Sequence, residues 1–288
     1  MRIRNLFYIF FSLLGQCYAQ QEPQFTMYWN NYSLFNPAAT GLFYANYASV
    51  CGRQQWTGFP GEPKTISVVY DCKLTKINSG IGINYFIDQL GLETNNKINI
   101  NYSYQIQFKK GGVLSTGLAV GVLQKTIDYS KVILPTPDTL FPNNKITDYM
   151  PNINLGVMYK TPRFLFGLGV TQLTEPVSQK LNFKNARNCF LNCSYDISIA
   201  QYWDFKPGIY IKSDLTATQL DINLIARYDK KYWVGLTYRM SDAIAVMADI
   251  DILGKYRIGY SYDYTISTIK NYSSGSHEVV LALMLNKK

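Results

Sequence analysis

The sequence has 288 residues, of which 16% are charged and 15% are aromatic, with 24 tyrosines among them. Cytosolic proteins of this size carry about a quarter charged residues, so this composition argues against that class and favours strands and turns over helices. The net charge of +9 comes from scattered basic residues. Without a basic helix or a basic-aromatic motif, no nucleic-acid partner is expected.

Residues 1–19 are predicted to be a secretory signal peptide. Two arginines precede an apolar run from Leu6 to Leu14, which is too short to span a bilayer, and a small-x-small cleavage pattern ends at Ala19. The alternative is a lipoprotein acylated at Cys17, although the residue before that cysteine fits such a signal poorly. Both interpretations predict export.

Residues 20–42 form a segment without regular alternation, in which Asn36-Pro37 favours a turn. No later stretch contains 18 consecutive apolar residues, which excludes a helical membrane protein. An irregular backbone is tolerated at membrane depth only where protein or water surrounds it. We therefore expect residues 20–42 either to plug a barrel from inside or to form a periplasmic tail.

Residues 43–288 are predicted to form an all-β, antiparallel transmembrane β-barrel of about 14 strands. In one segment Ile98, Ile100 and Tyr102 alternate with Asn99 and Asn101, a pattern typical of a strand with lipid outside and a polar interior. An even count suits a barrel whose two ends lie on the same side. The segments are roughly 45–56, 64–74, 79–88, 95–109, 112–125, 151–160, 163–173, 188–202, 205–214, 217–228, 231–240, 243–253, 255–267 and 276–286.

The connections between these segments support a barrel in the outer membrane. Every second connection is short, and most of the others are longer, which is typical of barrels with periplasmic turns and extracellular loops. The short ones are 75–78, 110–111, 161–162, 203–204, 229–230 and residue 254. The longer ones are 57–63, 89–94, 126–150, 174–187 and 268–275.

Aromatic residues beside the short turns, including Tyr202, Trp203, Tyr228 and Trp233, favour a girdle at the membrane interface. The alternative is that they are ordinary strand aromatics.

Several short motifs occur in order along the chain. They consist of Pro23, Gln24, Phe25 and Tyr28, then Asn36 and Pro37, then Arg53, Gln55 and Trp56, then Phe59, Pro60 and Gly61, then Pro63, Lys64 and Thr65, and finally Gly275, His277 and Glu278. In sequence and spacing they resemble the PorP/SprF family of type IX secretion proteins from Bacteroidetes.

The resemblance implies a non-enzymatic outer-membrane component of the type IX secretion system. Such a component either anchors secretion or gliding machinery, with ring or motor components as partners, or partners a large secreted protein with a C-terminal sorting domain. The loops at 126–150 and 268–275 are candidate docking surfaces on one rim, and the short turns and N-terminal segment on the other.

Two other function classes remain open. A polar inner face fits a water-filled lumen equally well, so the alternative is a passive, porin-like transporter for small or apolar solutes. A soluble periplasmic β-protein is the third reading.

The motif residues also have local interpretations. Phe59-Pro60-Gly61 favours a tight turn between two strands, because proline restricts the backbone and glycine accepts positive φ. Arg53 and Trp56 flank this turn and either clamp the N-terminal segment or simply pack beside it.

Four cysteines follow the signal peptide. If the turn is centred near residues 61–62, Cys51 and Cys72 face each other and a disulfide is permitted in the periplasm. Cys189 and Cys193 lie about 13 Å apart along an extended strand, too far to bond.

Catalysis and cofactors are not expected. The single histidine, His277, lies near Ser273, Ser274 and Ser276, but serines in one loop are weak evidence for a nucleophile and base in fixed contact. No residue set matches a zinc site.

Charged residues at inward strand positions are expected to form a hydrogen-bonded polar interior rather than a cation site. These are Asp249, Asp251 and Asp263 with Arg227, Arg239 and Arg257.

Overall fold

The computed structural model describes residues 22–109, 111–132 and 143–285. The predicted signal peptide lies outside these ranges and stays a prediction. In chain order the strands are β1 (Asn46–Gln54), β2 (Lys64–Leu74), β3 (Ser79–Leu90), β4 (Glu93–Gln107), β5 (Val113–Asp128), β6 (Lys145–Lys160), β7 (Phe164–Thr171), β8 (Val177–Ser178), β9 (Phe183–Lys184), β10 (Asn188–Tyr195), β11 (Ile197–Ala200), β12 (Trp203–Ser213), β13 (Thr218–Tyr228), β14 (Tyr232–Arg239), β15 (Ala243–Ile252), β16 (Tyr256–Thr265) and β17 (Ser276–Leu285).

In the part of the chain that the structure describes, the helical elements are single turns. Three precede β1, at Tyr28–Asn30, Tyr32–Phe35 and Pro37–Ala39, and three lie between strands, at Thr75–Ile77, Tyr129–Lys131 and Thr268–Asn271. Across the described ranges, no helix has the length and apolar character needed to cross a membrane.

Fifteen of the strands form one antiparallel sheet that closes into a barrel, because β1 pairs with β17 as well as with β2. β10 and β11 both pair with β12 and form one barrel strand interrupted at Asp196. β8 and β9 form a separate small hairpin. The described residues therefore contain 14 barrel strands, and the predicted fold is confirmed.

The two faces of the wall alternate as predicted. In β4, Ile100 is 62% exposed on the outer face, whereas its neighbour Asn101 is fully buried inside. A closed barrel satisfies every strand hydrogen bond within the sheet, so only apolar side chains need to face lipid.

Beside the short turns, Tyr202, Trp203 and Tyr228 are exposed, whereas Trp233 points inward and its ring stacks on Arg257 at 4.2 Å.

The connections are sorted between two rims, which we call the short-turn rim and the long-loop rim. The prediction of a longer connection at 89–94 is wrong. β3 reaches Leu90 and β4 starts at Glu93, which leaves a two-residue turn. The predicted loop 126–150 is shortened by longer strands, and its residues 133–142 lie outside the described ranges. The β8–β9 hairpin within 174–187 was not predicted.

Residues 22–42 lie inside the lumen, and we call them the plug. The plug starts near the long-loop rim, where Glu22 pairs with Lys97 of β4. It ends at the short-turn rim, where Gly41 packs against the backbone of β2 and β3. Its side chains are largely buried, with Phe25 and Met27 almost completely so.

The prediction that Cys51 and Cys72 face each other and could form a disulfide is wrong. The register pairs Cys51 with Ser67 and Cys72 with Asn46, because the β1–β2 turn is centred at Phe59 rather than near residues 61–62. Cys51 points into the lumen and Cys72 points outward. All four cysteines in the described ranges are free thiols.

The lipid-facing assignment of β4 can be tested with Ile100→Arg. An arginine near the bilayer midplane should lower the free energy of unfolding by about 2–4 kcal/mol, against about 0–1 kcal/mol near an interface. Urea unfolding in phospholipid vesicles measures this difference. Leu253→Arg, at the β15–β16 turn, is the matched control, and equal losses for the two variants would contradict the assignment.

Candidate functional site

A cluster of charged side chains lies inside the barrel beside the plug. Each member is at most 4% exposed and comes from a different strand. Charged residues are rarely buried to this degree unless they are paired. We call this cluster the latch, and its members are Arg53 of β1, Asp221 of β13, Arg239 of β14, Asp263 of β16 and Glu278 of β17.

The two arginines bridge the three carboxylates. Arg53 contacts Asp263 at 2.7 Å and Glu278 at 3.0 Å. Arg239 contacts the same oxygen of Asp263 at 2.8 Å and reaches Asp221 at 3.2 Å. The wall thus supplies three carboxylates for two guanidinium groups, which leaves the cluster short of positive partners.

The plug supplies the missing donors. The backbone N–H groups of Thr26 and Met27 donate to the two oxygens of Glu278 at 2.8 and 2.9 Å. The Thr26 hydroxyl lies 2.7 Å from Asp263 and accepts from Arg53 at 3.1 Å. The latch is therefore completed only when the plug is in place.

Gln24 adds a further bond, because its amide donates to Asp221 at 3.1 Å. From Tyr28 onward the plug packs against the wall through aromatic rings. Tyr28 stacks on Tyr210 of β12 with centroids 4.2 Å apart, and Phe35 lies 5.1 Å from Phe190 of β10. Buried aromatic pairs contribute large apolar contact areas with defined geometry.

Glycines in the wall make room for the Asn36-Pro37 turn. The Asn36 amide donates to the carbonyl oxygens of Val157 and Leu168, each at 3.1 Å. A Cβ added at Gly117 would lie 2.2 Å from the backbone N of Ala38. Such a distance is not sterically allowed, so the close approach of plug and wall requires glycine at this position.

The plug divides the lumen into two cavities. The short-turn cavity, of about 360 Å³, is lined by Trp29 of the plug, by Tyr44, which follows the plug, and by Trp233 of β14. The long-loop cavity, of about 410 Å³, is lined by Glu22, Pro23 and Trp56 among others.

The motif residues separate into two groups. Gln24, Phe25, Tyr28, Asn36, Pro37, Arg53 and Glu278 belong to the plug or contact it. Of the two residues proposed as a clamp, Arg53 contacts the plug, whereas the Trp56 backbone N–H donates to Ser276 of β17 at 3.0 Å.

The second group forms the β1–β2 loop at the long-loop rim. The Gln55 N–H donates to the Pro63 carbonyl at 2.9 Å, and the Glu62 N–H donates to the Phe59 carbonyl at 2.9 Å. Gly61 has a φ of 78°, as a turn glycine should. Pro60 lies between these residues, so the tight turn expected at Phe59-Pro60-Gly61 is present.

Glu62 closes the same loop. Its carboxylate accepts from the Gly58 N–H at 2.8 Å, and this hydrogen bond holds the pKa of Glu62 below its usual range. Lys64 pairs with Glu62 at 3.4 Å in an exposed position, and Thr65 donates to Asp88 at 2.7 Å.

The closing motif lies on both faces of the wall. Gly275, with a φ of 97°, accepts from the Thr57 N–H at 2.7 Å and ties two loops together. His277 points outward, and its Nδ1 lies 2.7 Å from the Tyr260 hydroxyl. Glu278 points inward into the latch, so neighbouring motif residues serve different surfaces.

The alternation predicted the polar interior but not which residues meet. Asp263 and Arg239 are hydrogen-bonded inside the barrel, as expected. Asp221 lies at a regular inward position, yet nothing in the sequence connects it with Gln24, which is 197 residues away. Within the described ranges, no group of three or more His, Cys, Asp or Glu residues is arranged to hold a metal ion.

A closed 14-strand barrel with an apolar exterior, sorted connections and an internal plug defines an outer-membrane β-barrel protein. The chain belongs to the PorP/SprF family, because the family model described as "Type IX secretion system membrane protein PorP/SprF" matches residues 17–283. It is located in the outer membrane. No curated protein sequence gives a significant match.

Solved structures share this fold. The Pseudomonas putida toluene transporter TodX is 10% identical with a TM-score of 0.54, covering 90% of this chain and 95% of that one. The Ralstonia pickettii toluene transporter TbuX is also 10% identical, with a TM-score of 0.53 and coverage of 88% and 92%. At this identity the similarity establishes the fold alone.

Arg53→Ala tests the latch. The substitution leaves Glu278 and Asp263 short of a buried partner, so the free energy of unfolding should fall by about 3–5 kcal/mol. Urea unfolding of the purified barrel measures this. Lys64→Ala, which removes an exposed ion pair, should cost about 0–1 kcal/mol, and an equally small loss for Arg53→Ala would refute the latch.

Gly117→Ala tests the packing of the plug. The added Cβ meets the backbone at Ala38, so the plug should be displaced and stability should fall by about 1–3 kcal/mol. Chymotrypsin cleavage at Tyr28 and Tyr32, together with the urea midpoint, reports on both effects. Gly52→Ala is the control, because a Cβ there meets nothing within 4 Å, and a protected plug in both variants would contradict this packing.

Proposed function

We propose that this chain is a non-enzymatic attachment component of the type IX secretion system. Its barrel fixes the component in the outer membrane, and its rims bind the partners. The observation that carries the proposal is the plug, which fills the lumen and completes a buried charge cluster. Family membership indicates that the system is type IX secretion. The plug, which is bonded to the wall, favours attachment over conduction.

The plug is bonded to many parts of the wall. Toward the long-loop rim, the Glu22 carbonyl accepts from Lys212 of β12 at 2.8 Å. On another side, Asn84 of β3 donates to the Ser33 carbonyl at 2.7 Å. Near the short-turn rim, Ser103 of β4 donates to the Thr40 carbonyl at 2.7 Å. Removal of the plug would break these bonds together with those that Gln24, Thr26 and Met27 make to the latch, so a filled lumen is the stable state.

Each rim suits a different class of partner. The short-turn rim, with the end of the plug, faces the periplasm in this proposal and would bind ring or motor components of the secretion or gliding machinery. The long-loop rim would bind a large secreted protein with a C-terminal sorting domain. It carries exposed apolar side chains, including Val177 of the β8–β9 hairpin at 59% and Tyr272 at 71% exposure.

A passive transporter for small or apolar solutes is the second candidate. Two cavities flank the plug, and two toluene transporters share the fold. In this alternative the plug would move to connect the cavities, and its hydrogen bonds to the latch would have to break.

An affinity purification of the tagged protein from gently solubilised outer membrane, followed by mass spectrometry, tests the attachment function. Ring or motor components, or one large secreted protein, should co-purify. Val177→Ser combined with Tyr272→Ser should reduce recovery of a partner at the long-loop rim. Leu253→Ser, at an exposed position of the short-turn rim, is the matched control for that surface.

Conductance in a planar bilayer separates the two candidates. The attachment function predicts no solute-dependent conductance for the intact protein. A barrel that purifies alone and conducts ions or solutes would refute attachment and support the transporter.

A further inference from the structure

The short-turn cavity contains two lysines without partners. Lys160 of β6 and Lys206 of β12 both line it. Within the described part of the chain, neither ammonium group makes a hydrogen bond or an ion pair, and Lys160 only lies over the ring of Phe43 at 5.5 Å. Both side chains are partly buried.

The lysines of the opposite cavity differ in this respect. Lys97 pairs with Glu22, and Lys125 pairs with Glu93. Lys212 donates to the backbone carbonyl of Glu22 at 2.8 Å. Inward-facing lysines in this barrel are therefore normally given an acceptor, and the short-turn cavity is the exception.

Neighbouring carboxylates do not fill this need. Asp196 binds Arg227 at 2.6 Å, and Asp251 binds Arg257 at 2.6 Å. Asp204 also contacts Arg227, at 3.4 Å. The lining itself contains two carboxylates, Asp71 and Asp196, and four cationic side chains, of which Lys160 and Lys206 have no ion pair within the described residues.

Aromatic rings form much of the remaining wall. Trp29, Phe43 and Tyr44 contribute from the N-terminal side, and Phe164 and Trp233 contribute from the barrel. Aromatic walls bind apolar groups, and a few charged groups then fix the orientation of the ligand. A volume of about 360 Å³ falls in the range of small-molecule sites, about 300–1,000 Å³.

We propose that the short-turn cavity binds a monocarboxylate with an apolar body. Lys160 and Lys206 hold the carboxylate, since ammonium–carboxylate hydrogen bonds are strong where water is partly excluded. The aromatic rings enclose the apolar body. The ligand is either a free small acid or the C-terminal carboxylate of a peptide with an apolar last residue. This site does not depend on the proposed attachment function, because the cavity and its two lysines are present without a ring, motor or secreted partner and without movement of the plug.

Isothermal titration calorimetry on the full-length protein in non-ionic detergent tests the site. The probe is 3-phenylpropionate, and its amide is the uncharged match. The acid should bind at least tenfold more tightly than the amide. Lys160→Gln and Lys206→Gln should each weaken binding of the acid at least tenfold and leave binding of the amide unchanged.

Lys76→Gln is the matched control variant. It removes the same charge from the same rim, at an exposed position outside the cavity, and should bind the acid as the unmodified protein does. Circular dichroism and heat-modifiable gel mobility verify that each variant is folded. The proposal is overturned if acid and amide bind equally, if neither binds, or if the folded Lys160 and Lys206 variants retain full affinity.

A peptide experiment identifies the source of the carboxylate. Gly-Gly-Phe with a free C-terminus is compared with its C-terminal amide in the same titration. Tighter binding of the free peptide than of 3-phenylpropionate supports a peptide terminus as the ligand. Weaker binding of the peptide supports a free small acid, and both results require the lysines.

Discussion

The backbone N–H groups of Thr26 and Met27 complete a charge cluster that the barrel wall leaves unbalanced, and the rest of the structure depends on this contact. Three carboxylates and two arginines lie in a lumen that water reaches poorly, where an unpaired charge is costly. With the plug bound, each oxygen of Glu278 gains a donor from the plug backbone. This contact fixes the plug at Thr26 and Met27, and the glycine-lined turn fixes it at Asn36. The plug thereby separates a cavity at the short-turn rim from a cavity at the long-loop rim.

A filled lumen moves the functional surfaces to the rims. One end offers a hairpin and exposed apolar side chains, and the other offers short turns around a cavity lined by lysines, arginines and aromatic rings. Such a division suits a protein that holds partners on two sides of one membrane. Toluene transporters share the fold at 10% identity, and a fold by itself does not determine function. The attachment function proposed above therefore depends on the plug and on family membership.

The fold was largely predictable because period-two alternation is a local property. Asn99 and Ile100 reveal their faces through their neighbours alone, and so the number of strands and the sorting of connections could be derived. Register was less accessible, since a turn centred at Phe59 rather than two residues later separates Cys51 from Cys72. The latch was the least predictable part. Its members are far apart in the sequence, and alternation places each one inward without stating which partner it meets.

The position of the latch also matters for how the barrel is built. Arg53 and Glu278 are directly opposite each other where β1, the first strand, pairs with β17, the last. The ion pair therefore spans the seam at which the cylinder is sealed, and Thr26 lies against it from within. Sealing that seam over an empty lumen would enclose unsatisfied charge. The hydrogen bonds from Thr26 and Met27 to this seam can therefore form only when β1 pairs with β17 and the N-terminal segment lies inside the wall.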